Sequence, residues 1–167
     1  MDFIFRKAKQ TDTERIWQII LQAKAQMRRM NSHQWQDGYP AIENIANDIA
    51  NGYGYVLCGD SGVIAYGAVI FDGEPAYNDI QGKWLTGLSY VVVHRLAVAD
   101  EVKNRGIATL FMQKVGELGK QKEIGSFRVD TNFDNLFMQK ILSALGFTYC
   151  GEIFYDKNQR RAYEKIL

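Results

Sequence analysis

The chain has 167 residues, 47% hydrophobic and 23% charged, with a formal net charge of +1. That length supports one domain over residues 1–167 with a substantial core, and a near-neutral balance without a basic block argues against nucleic-acid binding through a broad electrostatic surface. No apolar run approaches the roughly 20 residues that span a bilayer, and the N-terminal Met1–Arg6 stretch lacks a signal-peptide pattern. Cys58 and Cys150 form no CxxC pair. Both read as reduced thiols of a cytoplasmic protein, and two cysteines and two histidines so placed make no metal site.

In chain order, Phe3–Lys7 alternates as a short strand. Thr11–Glu14 resembles a capping box, with Thr11 or Asp12 as cap. It opens a helix with Ile16, Ile19, Ile20, Ala23, Met27 and Met30 on one face. The Asn31–Pro40 loop carries His33, Trp35, Asp37 and Tyr39. A second helix spans Ala41–Ala50, its period carried by Ile42, Ile45, Ala46 and Ile49 and its end marked by Gly52. Tyr53–Gly59 and Val63–Asp72 flank a Gly-Asp-Ser-Gly turn and predict a hairpin. Gly73–Gly87 reads as irregular. Tyr90–Val98 is an apolar, buried strand. A charged turn then leads into a helix from about Arg105 to Lys120 with Ile107, Leu110, Phe111, Val115 and Leu118 inward. Ser126–Thr131 is a strand, Asn135–Leu145 a helix stopped by Gly146, and Phe147–Tyr155 and Ala162–Leu167 are final strands around a polar turn at 156–159. Strand–helix–strand units joined to hairpins imply a mixed α/β sheet with helices on both faces.

The chemistry concentrates where the strand ending at Val98 meets Asn104-Arg105-Gly106-Ile107-Ala108-Thr109. The first amides of a helix lack intrahelical acceptors, and the dipole end there is positive. Glycine lets an anion approach the backbone. This junction therefore predicts a phosphate cradle and a phosphate-bearing cofactor. A P-loop is excluded, because no Gly-x-x-x-x-Gly-Lys-Ser/Thr occurs. The first strand also lacks the Rossmann glycine pattern.

The element order, with Lys103-Asn104-Arg105-Gly106-Ile107-Ala108 at its centre, resembles the GNAT superfamily of acetyl-CoA-dependent N-acetyltransferases over essentially the whole chain. The family's pyrophosphate loop reads Gln/Arg-x-x-Gly-x-Gly/Ala, and here Lys103 takes the first position. A second family signature is an asparagine opening the last helix with Gly-Phe eleven and twelve residues on; Asn135 and Gly146-Phe147 match it. The Gln34–Pro40 segment looks like the substrate-side loop of some bacterial members.

The resemblance implies a GNAT-like fold, a six- to seven-stranded mixed sheet flanked by about four helices. It implies acetyl-CoA as co-substrate and no metal. The pantetheine arm would pair with the backbone of Leu96, Ala97 and Val98, and an amide near Val98 would polarise the thioester carbonyl. The pyrophosphate would lie on Lys103, Asn104, Arg105, Gly106, Ile107, Ala108 and Thr109, with Asn135 and Met138 beside the cofactor. The acceptor would be a primary amine of a small molecule or peptide, with no nucleic acid or membrane involved and a homodimer admitted.

Two family side chains are missing. Where many relatives carry a glutamate, this chain has Val91-Val92-Val93, which leaves His94 as the candidate base on that strand. Where a tyrosine acid is frequent, seven residues after the asparagine, it has Leu142, which leaves Tyr149, Tyr155 or water. By period two, Leu96 and Val98 share the face of His94, and a bulge would break that count. Trp35, Tyr39 and Asp37 are candidates for an aromatic, acidic amine pocket, and Trp84 and Tyr77 are similar; equally, Trp35 anchors a surface loop. Beside the transferase stand two other readings, a non-catalytic acyl-CoA-binding sensor domain and a mixed α/β interaction domain without cofactor.

Overall fold

Among the described residues the apolar spacings become four helices and eight strands. The computed structural model describes residues 2–156 and 158–167. Lys157, in the turn predicted at 156–159, lies outside them, as does Met1. The elements are β1 (Ile4–Lys7), α1 (Thr13–Arg29), α2 (Ile42–Ala50), β2 (Gly54–Gly59), β3 (Gly62–Ile70), β4 (Gln81–Gly82), β5 (Tyr90–Val98), α3 (Ile107–Gln121), β6 (Ser126–Asn132), α4 (Leu136–Ala144), β7 (Thr148–Tyr155) and β8 (Asn158–Ile166). Neighbouring strands hydrogen-bond in the order β1-β2-β3-β5-β6-β8-β7-β4. β5 and β6 pair in parallel, and α3 is the long crossover such a pair requires. The fold is thus mixed α/β, as the sequence implies, with one strand more than the upper expectation.

Contacts divide the chain into two units, Met1–Val69 with His94–Lys114 and Ile70–Val93 with Val115–Leu167. In the first, α1 presents Ile16, Ile19, Ile20 and Ala23 at helical spacing. They pack with Ile45 of α2, Val56 of β2, Val63 and Tyr66 of β3, Ala97 and Ala99. Each such isoleucine, fully buried, contributes about 1.5–3 kcal/mol. Met27 packs at the edge of this core, whereas Met30 is half exposed, because it already ends the helix as its C-cap. Of the two cap candidates, Asp12 is the N-cap residue of α1, but its side chain accepts no bond from the helix; its carboxylate instead accepts from the Lys9 amide and pairs with Arg6 at 2.8 Å.

The second unit has its own core, with Tyr77, Val92, Ile153 and Ala162 at its centre and Trp84, Tyr90 and Tyr155 around them. Glu164 is fully buried here. It accepts from Ser126 Oγ, Thr86 Oγ1 and the Leu85 amide, and it pairs with Arg128 at 3.3 Å. The Arg128 guanidinium lies against the rings of Trp84 and Tyr90 at 4.3 and 4.2 Å. Burial alone would raise the Glu164 pKa, but these donors outweigh it and hold the carboxyl below its ordinary value. The segment read as irregular, 73–87, contains a 3-10 turn at Pro75–Asp79 and the two-residue β4. At β4, Gly82 meets Gly151 of β7 so closely that a Cβ on either would press into opposing backbone.

Candidate functional site

The cradle is built from backbone. Ala99 is fully buried and its amide donates to the Ile64 carbonyl of β3, which fixes the end of β5. A 3-10 turn, Asp100–Val102, follows. Its Asp100 amide donates to Gln22 of α1, and Glu101 pairs with Arg15 of α1 at 2.8 Å. The loop then places Asn104 at φ +63 and Gly106 at φ +74. The Leu110 amide donates to the Gly106 carbonyl at 3.0 Å, the bond that starts α3. The amides of Ile107, Ala108 and Thr109 therefore precede the helical ladder. A Cβ at Gly106 would meet nothing within 4 Å, so the space beside this glycine is open. Asn104, Arg105 and Gly106 are exposed, Ile107 and Ala108 are buried, and Thr109 is intermediate. Lys103 is partly covered and pairs with Asp100. Such a turn ending at a helix N-terminus can take a phosphate through amides and dipole, whichever side chain stands at position 103.

Strand β5 departs from regular alternation. Its parallel pairing with β6 covers Tyr90–Val92 against Ser126–Arg128, and among the described residues no pair with β6 forms beyond Val92. Val91, Val92 and Val93 are buried in succession; His94, Arg95 and Leu96 are half-buried. Arg95 has φ +58. Period-two counting therefore does not run through Arg95, and the shared face expected for His94, Leu96 and Val98 cannot be read from it. A non-glycine residue in this region costs about 1–3 kcal/mol unless its surroundings hold it.

Those surroundings are explicit. Arg95 Nε and Nη2 donate to Asp48 of α2 at 2.8 and 2.5 Å, and Nη1 donates to Tyr39 Oη at 2.7 Å. Asp48 also accepts from the buried Tyr66 hydroxyl at 2.5 Å. Burial acts to lower the Arg95 pKa, but the hydrogen bonds and charges of Asp48 and Tyr39 together outweigh it and hold it above the ordinary arginine value. Burial, and after it the Asp48 charge, drives the Tyr66 hydroxyl well above its usual range. The sequence reading missed Asp48. The signal was an acidic residue three positions after Ile45, on the inward face of α2.

Of the loop candidates, Trp35 sits in the core of the first unit at 9% exposure, with φ +63. The loop anchor is thus its observed packing role. Asp37 and Tyr39 are exposed. The loop is tied to α1 by Lys24 Nζ donating to the Pro40 carbonyl at 2.6 Å and by Gln36 Nε2 donating to the Lys24 carbonyl at 3.1 Å.

In the second unit, Asn135 is the N-cap of α4 and accepts from the Met138 amide at 3.1 Å. Asn135 and Met138 are both half-buried. Gly146 ends the helix at φ +88, and the Phe147 amide donates to the Leu142 carbonyl. Leu142 is fully buried, so the position of the family's tyrosine serves packing. Tyr77 and Tyr155 both donate to Asp130, at 2.6 and 3.1 Å. Burial, then the Asp130 charge, raises both hydroxyl pKa values. Trp84 packs on Tyr77, which is almost fully buried. Tyr149 is exposed and lies under Arg161 at 4.1 Å.

The Acetyltransferase (GNAT) family matches residues 6–147. A GNAT-family acetyltransferase from Streptococcus agalactiae 2603 is 37% identical, with 99% of this chain and 95% of that one covered and a TM-score of 0.90. A putative acetyltransferase from Staphylococcus aureus Mu50 is 27% identical, with 98% of each chain covered and a TM-score of 0.74. A GNAT-family acetyltransferase from Listeria monocytogenes 4b F2365, at 20% identity and a TM-score of 0.79 over 99% of this chain and 95% of that one, shares the fold. No curated protein matches. The match spans β5, the cradle and the asparagine-opened helix alike, and this chain belongs to the GNAT family of acetyltransferases.

Proposed function

We propose that this acetyltransferase moves an acetyl group from acetyl-CoA, the co-substrate of its family, to a primary amine of a small molecule or peptide by direct attack in a ternary complex. The observation that carries the proposal is the cradle, with Gly106 at φ +74, open space above it and three amides ahead of the α3 ladder. When bound, the cofactor supplies an activated acetyl thioester. The residues from Lys103 to Thr109 take its pyrophosphate, and Leu96, Ala97 and Val98 offer backbone to its arm. An amide near Val98 stabilises the charge that develops on the carbonyl oxygen. Asn135 and Met138, at the start of α4, are the second unit's candidate cofactor residues. His94 would accept the proton of the incoming ammonium, directly or through water; the amine nitrogen would form the new bond to the acetyl carbon as the C–S bond breaks, and coenzyme A would leave as thiolate and take a proton from solvent. Tyr39 and Asp37 present a ring and a carboxylate to the cationic acceptor, and Trp35 holds their loop.

The single GNAT-like domain over residues 1–167 and a cytoplasmic setting, as monomer or homodimer, belong to the same proposal. Two unpaired cysteines support the setting. Among the described residues no helix is long and apolar enough to cross a membrane. One observation favours the sensor alternative. Val91–Val93 and Leu142 are buried apolar side chains at the positions where relatives carry a glutamate and a tyrosine.

Titration calorimetry with coenzyme A tests the cradle. Gly106→Glu puts a side chain at positive φ and a negative charge over the amides, so affinity should fall tenfold or more, about 1.4 kcal/mol. Unchanged affinity in a folded variant overturns the cradle.

A further inference from the structure

We propose that Asp48 and Arg95 are positioning residues that set the acceptor loop and the cofactor strand from a single guanidinium; this rests on the cofactor reading of β5 above. Three segments distant in sequence converge on Arg95, namely its own strand, α2 through Asp48, and the Asn31–Pro40 loop through Tyr39. Two of its nitrogens form a fork on Asp48, whose side chain is 5% exposed and which also accepts from Tyr66. A fork of this kind fixes direction as well as distance. It pins the arginine whose backbone is in the left-handed region, and the next three residues, Leu96–Val98, follow from that backbone.

The third contact of the guanidinium separates this from a simple buried ion pair. An arginine whose charge is already met by a buried carboxylate has no need of the hydroxyl of a 42% exposed tyrosine, because water would serve as well. The Nη1–Tyr39 bond at 2.7 Å instead transmits the setting of the strand to the ring that faces the acceptor. A shift at Leu96–Val98 that rotates Arg95 moves Tyr39, and the loop has a rigid base for that motion because Trp35 is in the core and Lys24 holds Pro40.

The test is hydrogen–deuterium exchange of the full chain with coenzyme A as probe. In the wild type, coenzyme A should slow exchange at residues 96–98 and also at 34–39. In Tyr39→Phe, slowing at 96–98 should persist, while the slowing at 34–39 should shrink about fivefold, the factor that one net hydrogen bond represents. Asp48→Asn, checked for folding by near-ultraviolet circular dichroism, should lose the loop response too, and if it fails to fold, Tyr39→Phe decides alone. An equal loop response in Tyr39→Phe, or a wild-type loop that ignores coenzyme A while 96–98 respond, overturns the coupling. Absence of any response at 96–98 overturns the cofactor reading of the strand, and this inference with it.

Discussion

The cradle and the Asp48–Arg95–Tyr39 cluster lie in the same unit and are built on opposite principles. At Lys103–Thr109 the proposed contacts are amides, Asn104 to Gly106 are exposed, and a glycine at positive φ shapes the turn. At Arg95 the working groups are side chains from three segments, two of them nearly buried, and each bond needs a particular residue type. A backbone site of this kind depends little on which side chain stands at position 103. A side-chain cluster tolerates almost nothing, because removing one partner strands another inside the protein.

That contrast is sharpest for stability. Asp48→Ala leaves the Arg95 charge and the buried Tyr66 hydroxyl without their acceptor, and chemical denaturation should show a loss of about 3–5 kcal/mol. In the cradle, by contrast, Lys103→Gln should leave the unfolding midpoint within about 0.5 kcal/mol of wild type. A small loss at Asp48 and a large one at Lys103 would invert the comparison. Next in size is His94→Gln on the cofactor strand. Turnover should drop roughly 10²-fold with coenzyme A affinity unchanged by calorimetry; an intact rate assigns the proton to solvent.

Smaller again is Asn135→Ala. As the cap of α4 it should cost about 1 kcal/mol in denaturation. A coenzyme A affinity that falls in parallel adds a ligand role, and a stability loss alone leaves the cap. The smallest effect concerns Arg6–Asp12. The hydrogen bond from Arg6 holds the Asp12 carboxyl below its ordinary value, so its stabilisation is present above the unfolded carboxylate pKa of about 4 and is lost as pH falls through the lower folded value. Asp12→Asn should remove under about 1 kcal/mol at neutral pH, and the variant should lose less stability than wild type between pH 5 and 2.

What was legible in the sequence follows the same division. The cradle and the Asn135 and Gly146 helix ends depend on local backbone geometry, which residue type announces directly: α3 starts at Ile107 and α4 at Leu136, each within two residues of expectation. Long-range effects were hidden. Asn158 and Gln159 read as part of a turn and the last strand as starting at Ala162, yet β8 begins at Asn158, because β7 pairs with 158–161 and β6 pairs with Arg160 and Arg161 as well. Strand β4 has two residues and rests on the approach of Gly82 to Gly151, which no periodicity can signal. Arg95 stands among strand-forming residues, and its left-handed backbone is intelligible only once Asp48, 47 positions away, is in place. Trp35 stood equally as acceptor wall and loop anchor until its burial put it in the core.

Thiol release from acetyl-CoA across a panel of primary amines, with products identified by mass spectrometry, tests the central claim most directly. The account predicts that at least one amine accelerates thiol release and yields an equimolar N-acetyl product. Coenzyme A binding without acceleration by any amine, diamines and peptide amino termini included, would contradict transfer and leave a domain that senses the cofactor.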